Sequence, residues 1–297
     1  MKNAKISIIT ICYNADNLER TCESIVTQDR DDFEWVVIDG GSSDEHQKIF
    51  DKYKSRMDYF VSEPDKGIYD AMNKGILAAT GEYVIFMNAG DSFYDTNILS
   101  HVMRFMETDD SDIIYGIAKC DNDKKNEKQM IRIHSREITD RFWFDACPPH
   151  QAMFYKRKCF MDIGLYRTDY RIFSDKVQNT IFYRAGAKYS FIDRVIANFD
   201  TSGVSQDKFN ARQIVEKMLS QHEFFPELLT RFDIYHLSLC NILFRLLRTV
   251  YCFDKTKRKQ FSIRYKNISR LIKRKRYVSN AEFYRVLKEY PHILNPR

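Results

Sequence analysis

The sequence predicts an α/β fold built on a mostly parallel central sheet. Short, almost wholly apolar segments alternate with amphipathic ones, and this order is typical of strand–helix–strand units. The first strands each end in a polar turn, at the edge where open α/β sheets bind ligands. With 297 residues and 44% hydrophobic content, the chain can bury one large domain and carry a smaller appendage.

The cysteines and the apolar segments indicate where such a chain works. The seven cysteines form no CxxC pair and no metal-ligand spacing, so we expect reduced thiols in a reducing compartment: Cys12, Cys22, Cys120, Cys147, Cys159, Cys240 and Cys252. The apolar run Ile6–Cys12 is too short for a signal peptide, and no stretch of about 18 uncharged apolar residues predicts a spanning helix. We therefore expect a cytoplasmic protein.

The first two strand–turn–helix units are predicted at the N-terminus. Lys5–Cys12 is the first strand, and Asn14 or Asp16 is expected to cap the helix that follows. The second strand, Phe33–Asp39, runs into the turn Gly40–Asp44. That turn matches neither GxGxxG nor a P-loop, so it is either a nucleotide-contacting turn or a plain turn with a helix cap.

A third strand, Asp58–Ser62, leads into a helix whose apolar face includes Ala71, Met72 and Ile76. Its charged face is either solvated or turned to a ligand. The next strand, Tyr83–Met87, ends in the turn Asn88-Ala89-Gly90-Asp91. Asp91 is then either a turn former or a carboxylate that holds a divalent cation at the sheet edge.

The second half continues the alternation. Cys147–Tyr155 is predicted to be a loop that enters a strand, and Lys156–Ile163 a short helix. Ser174 and Asp175 make a good helix start, for a helix that runs to about Arg184. The closing strands fall within 190–199, followed by a loop at 201–205 and a helix at 206–223.

Several motifs occur together in a fixed order. They are Thr10-Ile-Cys-Tyr-Asn14, Ile38-Asp39-Gly-Gly-Ser-Ser-Asp44, Asp65-Lys-Gly-Ile-Tyr-Asp-Ala-Met-Asn-Lys-Gly75, Ala79-Thr-Gly-Glu82 and Asn88-Ala-Gly-Asp91. In order and spacing, they resemble glycosyltransferase family 2, over about residues 5 to 200. The nearest resemblance is to bacterial enzymes of exopolysaccharide, capsule or O-antigen synthesis, of the colanic-acid and amylovoran type.

The resemblance implies a GT-A fold, the nucleotide-sugar-binding α/β sandwich, with a donor pocket. The residues that would bind the nucleotide are Thr10, Tyr13, Asn14, Asp39, Asp65, Lys66 and Asn73. Among them, Asp39 would accept the N–H of the base. Asp91 would be the last Asp of the metal-binding DxD motif and hold Mn or Mg, whereas Asn88 replaces its first Asp. The side of the donor or acceptor sugar would be lined by Asn88, Ala89, His150 and Gln151.

The resemblance also implies an inverting mechanism in which Asp175 is the catalytic base. The residues alone leave a second interpretation, because Ser174 and Asp175 are equally a helix start. The QxxRW motif of processive members is missing, since Gln213 is not followed by Arg-Trp. The sequence therefore favours transfer of a single sugar.

Charge divides the chain unevenly. Residues 245–297 carry 16 Lys and Arg against 3 Asp and Glu, a net of +13, and the preceding residues carry −7. We expect a domain at 1–225 and a basic amphipathic helical tail at 226–297. The tail is predicted either to bind an anionic membrane surface or to pack as a solvated hairpin. Nucleic acid is a third possible partner, which no recognition motif supports.

The function predicted from these observations is a metal-dependent transfer of one sugar, carried by UDP, to a lipid-linked saccharide. The enzyme would lie at the inner face of the cytoplasmic membrane. A nucleotidyltransferase would use similar carboxylates but attack phosphorus, and it usually has a basic, Gly-rich first loop that this sequence lacks. A non-catalytic nucleotide-sugar-binding or scaffold protein is the third alternative. The sequence gives neither the sugar identity nor the oligomeric state.

Overall fold

A computed structural model describes residues 5–121, 131–132, 138–200, 211–226, 229 and 280–294 of the chain. The chain divides into two compact units, Met1–Ser202 and Gly203–Arg297. This boundary lies earlier than the one predicted from sequence after residue 225. The difference arises because the helix that begins at Ala211 pairs with residues near the C-terminus.

Within the described ranges, nine strands form one sheet in the first unit. Their bounds are β1 Ile6–Cys12, β2 Glu34–Asp39, β3 Tyr59–Ser62, β4 Tyr83–Phe86, β5 Ser92–Phe93, β6 Ile113–Asp121, β7 Ile131–Arg132, β8 Met153–Lys156 and β9 Tyr189–Asp200. The order is β3-β2-β1-β4-β8-β6-β9-β5, and β7 pairs with β6. The strands β3, β2, β1 and β4 are mutually parallel, and β8 is antiparallel to its neighbours. The predicted α/β class is confirmed.

The helices of the first unit lie between these strands. Their bounds are α1 Leu18–Val26, α2 Asp44–Tyr53, α3 Ile68–Ala78, α4 Ile98–Met106, α5 Asp140–Asp145, α6 Arg157–Asp162 and α7 Ser174–Arg184. Two short 3-10 turns cover Lys54–Arg56 and His150–Ala152. Helix α7 begins at Ser174, as predicted.

The core lies on both faces of the parallel strands. On one face, Ile8 of β1 and Val37 of β2 belong to the same buried cluster as Leu18 of α1. On the other face, Ile9 belongs to a cluster with Met72 of α3. Burial of each such side chain stabilises the fold by about 1.5–3 kcal/mol, which explains why these strands are almost wholly apolar.

Two local predictions are wrong. Helix α1 begins at Leu18 with Asn17 as its N-cap, and neither Asn14 nor Asp16 caps it. Asn14 has a positive φ of 49° and its side chain accepts a hydrogen bond from the Ser43 backbone, so it belongs to a different turn. The closing strands at 190–199 are one long strand, β9, because it pairs with β6 along most of its length.

The second unit contains three described helices, α8 Ala211–Phe224, α9 Asn280–Leu287 and α10 Pro291–Leu294. The Tyr290 hydroxyl donates to Glu216 at 2.5 Å and accepts from Arg212 at 2.9 Å, which links the chain after α9 to α8. Among the helices that the structure describes, none is both long enough and apolar enough to span a bilayer. The predicted loop at 201–205 and the basic runs Lys255–Lys259 and Lys273–Arg276 lie outside the described residues.

Candidate active site

The candidate site lies at the edge of the sheet where the parallel strands β1, β2 and β4 end. Cys12 at the end of β1 pairs with Asp39 at the end of β2, so the turns that follow them are neighbours. The turn after β4 reaches the same edge, where the Ala89 amide donates to the carbonyl of Ile11 at 3.0 Å. Parallel register therefore brings three of the predicted motifs together.

Asp39 organises the turn after β2. Its fully buried carboxylate accepts the Ser42 amide at 3.0 Å, the Gln47 side chain at 2.8 Å and the Ser62 hydroxyl at 2.6 Å. The Ser42 hydroxyl also donates to it at 2.5 Å. With these bonds Asp39 shapes the turn that a nucleotide would meet, and its contact with a base stays a prediction.

The first predicted motif divides between the surface and the core. The Tyr13 ring is 68% exposed, which leaves its face open to a planar ligand. Thr10 is fully buried, and its hydroxyl accepts from the Trp35 indole nitrogen at 3.1 Å. This placement argues against direct contact between Thr10 and a nucleotide. The reason is the strand pleat, which turns Thr10 into the sheet core.

Asp65 and Lys66 lie in the loop before α3. The Asp65 carboxylate accepts the Gly67 amide at 2.7 Å, and it lies so close to Gly40 that a Cβ there would come within 2.5 Å of its Oδ2. The Lys66 amide donates to Asp70, and the Lys66 side chain is exposed. The exposed lysine and the tight approach of Asp65 to Gly40 are consistent with a charged rim on the predicted donor pocket.

Asn73 holds a loop of the protein itself. Its amide nitrogen donates to the Tyr166 carbonyl at 2.8 Å, and its amide oxygen accepts the Tyr166 amide at 2.9 Å. Both ends of the side chain are thereby committed to the loop between α6 and α7. The structure thus favours a positioning role over the donor contact implied by the resemblance.

Asp91 lies at the end of the turn after β4 and is 5% exposed. Its carboxylate accepts the Asp200 amide at 2.8 Å and the Gln151 side chain at 3.2 Å. Burial raises the pKa of Asp91 to about 6, although the nearby His150 and these two hydrogen bonds oppose the shift. The ionised form of Asp91 is therefore less favourable than that of an exposed aspartate.

Asn88, three residues before Asp91 in the same turn, contacts the second half of the chain. Its amide nitrogen lies 3.0 Å from Nε2 of His150. Its Oδ1 is buried and has no hydrogen-bond partner within the part of the chain that the structure describes. Ala89 is half-buried beside it. The predicted sugar-side residues Asn88, Ala89, His150 and Gln151 thus lie together around the turn that bears Asp91.

Asp175, at the start of α7, faces the same group. Its Oδ2 lies 3.7 Å from Nδ1 of His150, and its Oδ1 accepts the Lys176 amide at 2.8 Å. The Tyr69 hydroxyl lies 3.2 Å from the same Oδ1 and 2.7 Å from the Ile172 carbonyl, so its one proton goes to one of these two acceptors. The carboxylate side chain is 25% exposed, so an acceptor hydroxyl can reach it. The predicted base therefore lies beside His150, whose other ring nitrogen contacts Asn88 in the turn that bears Asp91.

Two residues of this site were missed from the sequence. Tyr69 lies inside a quoted motif, but its spacing indicated only a helix face. Asp200 ends β9, and its carboxylate lies so close to Gly90 that a Cβ there would come within 2.6 Å of its Oδ2. The sequence does show that Asp200 is a carboxylate at the end of a strand. It cannot show at which edge of the sheet that strand end lies.

The oxygen atoms around Asp91 fit a hard divalent cation. Within the described residues, no three His, Cys, Asp or Glu side chains form a metal-holding group. Two carboxylates, Asp91 and Asp200, nevertheless lie beside Gly90, and the buried Asn88 Oδ1 keeps its lone pairs for a further contact. Such oxygens suit Mg²⁺ or Mn²⁺ when phosphate oxygens complete the shell.

Comparison with known proteins assigns the family. Residues 7–170 match the model described as Glycosyl transferase family 2, which is more than half of the chain. The chain belongs to glycosyltransferase family 2. A Mycobacterium bovis relative, the "PGL/p-HBAD biosynthesis glycosyltransferase", is 35% identical over 174 residues, 57% of this chain and 66% of the relative. The match thus covers just under two thirds of that relative's length.

Solved structures of low sequence identity share the family 2 fold. The S. aureus protein TarS, crystallised with UDP, has a TM-score of 0.58 at 18% identity and covers 99% of this chain and 93% of its own. The Pyrobaculum calidifontis mannosyltransferase PcManGT, in complex with GDP-Man and Mn²⁺, has a TM-score of 0.57 at 15% identity and covers 98% and 86%. The predicted GT-A fold is confirmed by this likeness.

Proposed function

We propose that this family 2 chain is an inverting, metal-dependent glycosyltransferase. It moves one hexose or N-acetylhexosamine from a nucleotide sugar, most simply a UDP-sugar, to a lipid-linked saccharide. The observation that supports this proposal is that His150 contacts both Asp175 and Asn88, which lies in the turn that bears Asp91. Asp91 would lie on the side of the diphosphate, and Asp175 is accessible to an acceptor.

Asp175 is the base in this mechanism. As the acceptor hydroxyl oxygen bonds to the anomeric carbon, its proton passes to Asp175 and the bond from that carbon to the diphosphate oxygen breaks. The nucleoside diphosphate leaves with the bonding electrons. One displacement from the opposite face inverts the anomeric configuration. The hydrogen bond from the Lys176 amide holds one carboxylate oxygen in place while the other faces His150.

The cation belongs on the donor side. Mn²⁺ or Mg²⁺ would be held by Asp91, with Asp200 and Asn88 Oδ1 as neighbouring oxygen donors. When bound, it would neutralise charge on the leaving diphosphate. Because burial raises the pKa of Asp91 to about 6, a cation held there would compete with a proton and would bind more tightly as the pH rises. The Mn²⁺ in the Pyrobaculum enzyme supports this part of the proposal.

The nucleotide would stack on Tyr13 above the turn that Asp39 shapes. The UDP complex of the S. aureus protein supports uridine as the base, and the GDP-Man complex of the Pyrobaculum protein makes guanosine the alternative to test. The missing Arg-Trp after Gln213 supports transfer of one sugar per acceptor.

The acceptor side of the proposal rests on charge and on relatives. The net charge of +13 in residues 245–297 would hold the enzyme at the anionic inner face of the cytoplasmic membrane, near a lipid-linked saccharide. Synthesis of a bacterial surface polysaccharide, of the colanic-acid or amylovoran type, is the role that the resemblance favours.

The test is calorimetric titration of UDP, with GDP as the comparison, into the full chain with and without Mn²⁺. We expect Mn²⁺-dependent binding of UDP that Asp91→Ala abolishes and that Asp51→Ala, an exposed acid on α2, retains. Binding of neither nucleotide would refute the donor site. Release of UDP from a UDP-sugar, lost in Asp175→Asn while UDP binding persists, would support transfer. Binding without turnover in the unmodified chain would favour a scaffold, and release of pyrophosphate a nucleotidyltransferase.

A further inference from the structure

Three polar side chains from distant parts of the chain form a continuous line at the candidate site. Asn88 comes from the turn after β4, His150 from the 3-10 turn before β8, and Asp175 from the first turn of α7. The Asn88 amide nitrogen lies 3.0 Å from Nε2 of His150, and Nδ1 of His150 lies 3.7 Å from Oδ2 of Asp175. The imidazole therefore separates the donor-side turn from the base.

The Asn88 amide determines where the imidazole carries its proton. An amide nitrogen only donates, so Nε2 of His150 must be the acceptor in this pair. In a neutral imidazole whose Nε2 accepts, the proton is on Nδ1. The Nδ1–H then faces the Asp175 carboxylate, and its dipole is attractive for a negative oxygen. A single hydrogen bond from Asn88 thus determines that a protonated ring nitrogen, and not a lone pair, faces the Asp175 carboxylate.

This line also explains why asparagine suits position 88, where the family motif has aspartate. An aspartate would accept a hydrogen bond and would draw the imidazole proton to Nε2. An unprotonated Nδ1 would then face Oδ2 of Asp175, lone pair against lone pair, or the ring would become doubly protonated. Asn88 avoids both, and its unpartnered Oδ1 is still available on the donor side.

The surroundings of His150 restrict the ring to this orientation. The Phe86 ring meets it edge to face, with centroids 6.4 Å apart and an interplanar angle of 81°. The His150 side chain is 19% exposed, and the next residue, Gln151, is bonded to Asp91. The imidazole therefore lies between Asn88 and Asp175 and packs against Phe86.

We propose that Asn88 and His150 are positioning residues for the transfer reaction: Asn88 fixes His150 as the Nδ1–H tautomer, and that N–H orients the Asp175 carboxylate toward the acceptor. The inference rests on the proposed function, because it assumes that Asp175 is the base. It extends that function because residue 88 then controls, through His150, the orientation of the Asp175 carboxylate, in addition to its place in the metal motif.

The tautomer can be measured without turnover. In two-bond ¹⁵N–¹H spectra of the full chain labelled with ¹⁵N-histidine, at pH 8, the His150 signal is the one that disappears in His150→Asn. We expect the Nδ1–H tautomer in the unmodified chain and its loss in Asn88→Asp. The signal of His101, on α4, should stay unchanged as the control. An Nε2–H or doubly protonated His150 in the unmodified chain would overturn the inference.

Kinetics then test the positioning role. An Asn side chain places its amide nitrogen where Nδ1 lies, whereas Gln places it near Nε2. His150→Asn should therefore keep kcat within about threefold, and His150→Gln and His150→Ala should lower it by at least about tenfold, with UDP affinity unchanged in all three. His101→Gln should leave the rate unaltered. A His150→Asn rate as low as that of His150→Ala would overturn the role. If the unmodified chain neither binds UDP nor transfers sugar, the proposed function itself has failed. The tautomer measurement does not depend on that outcome, so the two failures can be told apart.

Discussion

At the scale of single residues, Asp91 combines burial with a charge that the proposed reaction requires. Its carboxylate is almost completely enclosed, and two hydrogen bonds, from Asp200 and Gln151, only partly offset the loss of water. The protein thereby holds an acid whose ionised form is unfavourable until a cation or a donor is present. This makes Asp91 the residue at which stability and function compete.

The first prediction concerns the pH dependence of stability. The folded-state pKa of Asp91 is raised to about 6 from 3.8, so its stabilising contribution is complete below pH 3.8 and is lost as the pH rises through 6. Relative to Asp91→Asn, the free energy of unfolding of the unmodified chain should fall by about 3 kcal/mol between pH 3.5 and pH 7. Urea unfolding of both proteins in EDTA measures this. A difference independent of pH would contradict it.

The second prediction concerns Gly90, whose φ of 103° favours glycine. A Cβ there would also come within 2.6 Å of Asp200 Oδ2, whereas Gly164, with a φ of 140°, has open space around the same position. Gly90→Ala should lower the free energy of unfolding by about 2–4 kcal/mol, and Gly164→Ala by about 1–2 kcal/mol. Urea unfolding compares the two. Equal losses would show that the approach of Asp200 is unimportant.

At the scale of elements, α3 contacts the sheet through a small residue. Gly75 faces β1, where a Cβ would lie 2.4 Å from the Cγ2 atom of Ile9. Because Gly75 has no side chain, α3 packs close to the sheet. At this distance Tyr69 reaches Asp175 and Asn73 reaches the Tyr166 backbone. Glycine inside this helix therefore serves packing, at a cost in helix propensity of about 1 kcal/mol.

The third prediction follows from that contact. Gly75→Ala should improve helix propensity yet lower the free energy of unfolding by about 1–2 kcal/mol, because overpacking against Ile9 outweighs the gain. In an Ile9→Ala background the same change should cost less, which a double-mutant cycle by urea unfolding detects. Leu77→Ala, at a 55% exposed position of α3, is the control and should stay within about 0.5 kcal/mol. A stabilising Gly75→Ala would refute the contact.

At the scale of the whole molecule, charge separates along the chain. Residues 245–297 carry +13 while the preceding residues carry −7, and most of this basic segment lies outside the described residues. The basic segment attracts anionic surfaces. At physiological ionic strength the screening length is about 8–10 Å, so this attraction acts only when the segment is close to the surface.

The fourth prediction is binding of the full chain to vesicles that contain anionic lipid, but not to neutral vesicles. Replacement of the four basic residues 273–276 by glutamine should weaken sedimentation with the vesicles at least about 100-fold, since each nearby charge contributes about 1 kcal/mol. Replacement of Lys48, Lys52 and Lys54, in the first unit, by glutamine is the control and should change sedimentation with the vesicles little. Equal binding to neutral vesicles, or no effect of 0.5 M salt, would contradict an electrostatic attachment.

Much of the fold was predictable because its signals are local. The apolar segments at β1, β2 and β4 and the helical spacing of α3 are properties of ten or fewer consecutive residues. The turn motifs likewise indicated which strand ends carry polar groups. The sequence was less reliable where two turns compete for one side chain, as for Asn14, which bonds Ser43 instead of capping α1.

The sequence by itself determined the α/β class and the strand ends that bear Asp39 and Asp91, because backbone periodicity and turn chemistry depend on near neighbours. It indicated the family through the resemblance of its ordered motifs, and the match over residues 7–170 shows that family. Only the tertiary structure decided that Thr10 lies in the core, that Asn73 holds Tyr166, and that Asn88 meets His150 next to Asp175. These contacts join residues far apart in the chain. Their geometry depends on how strands pair and how helices pack across the sheet, which no local pattern encodes.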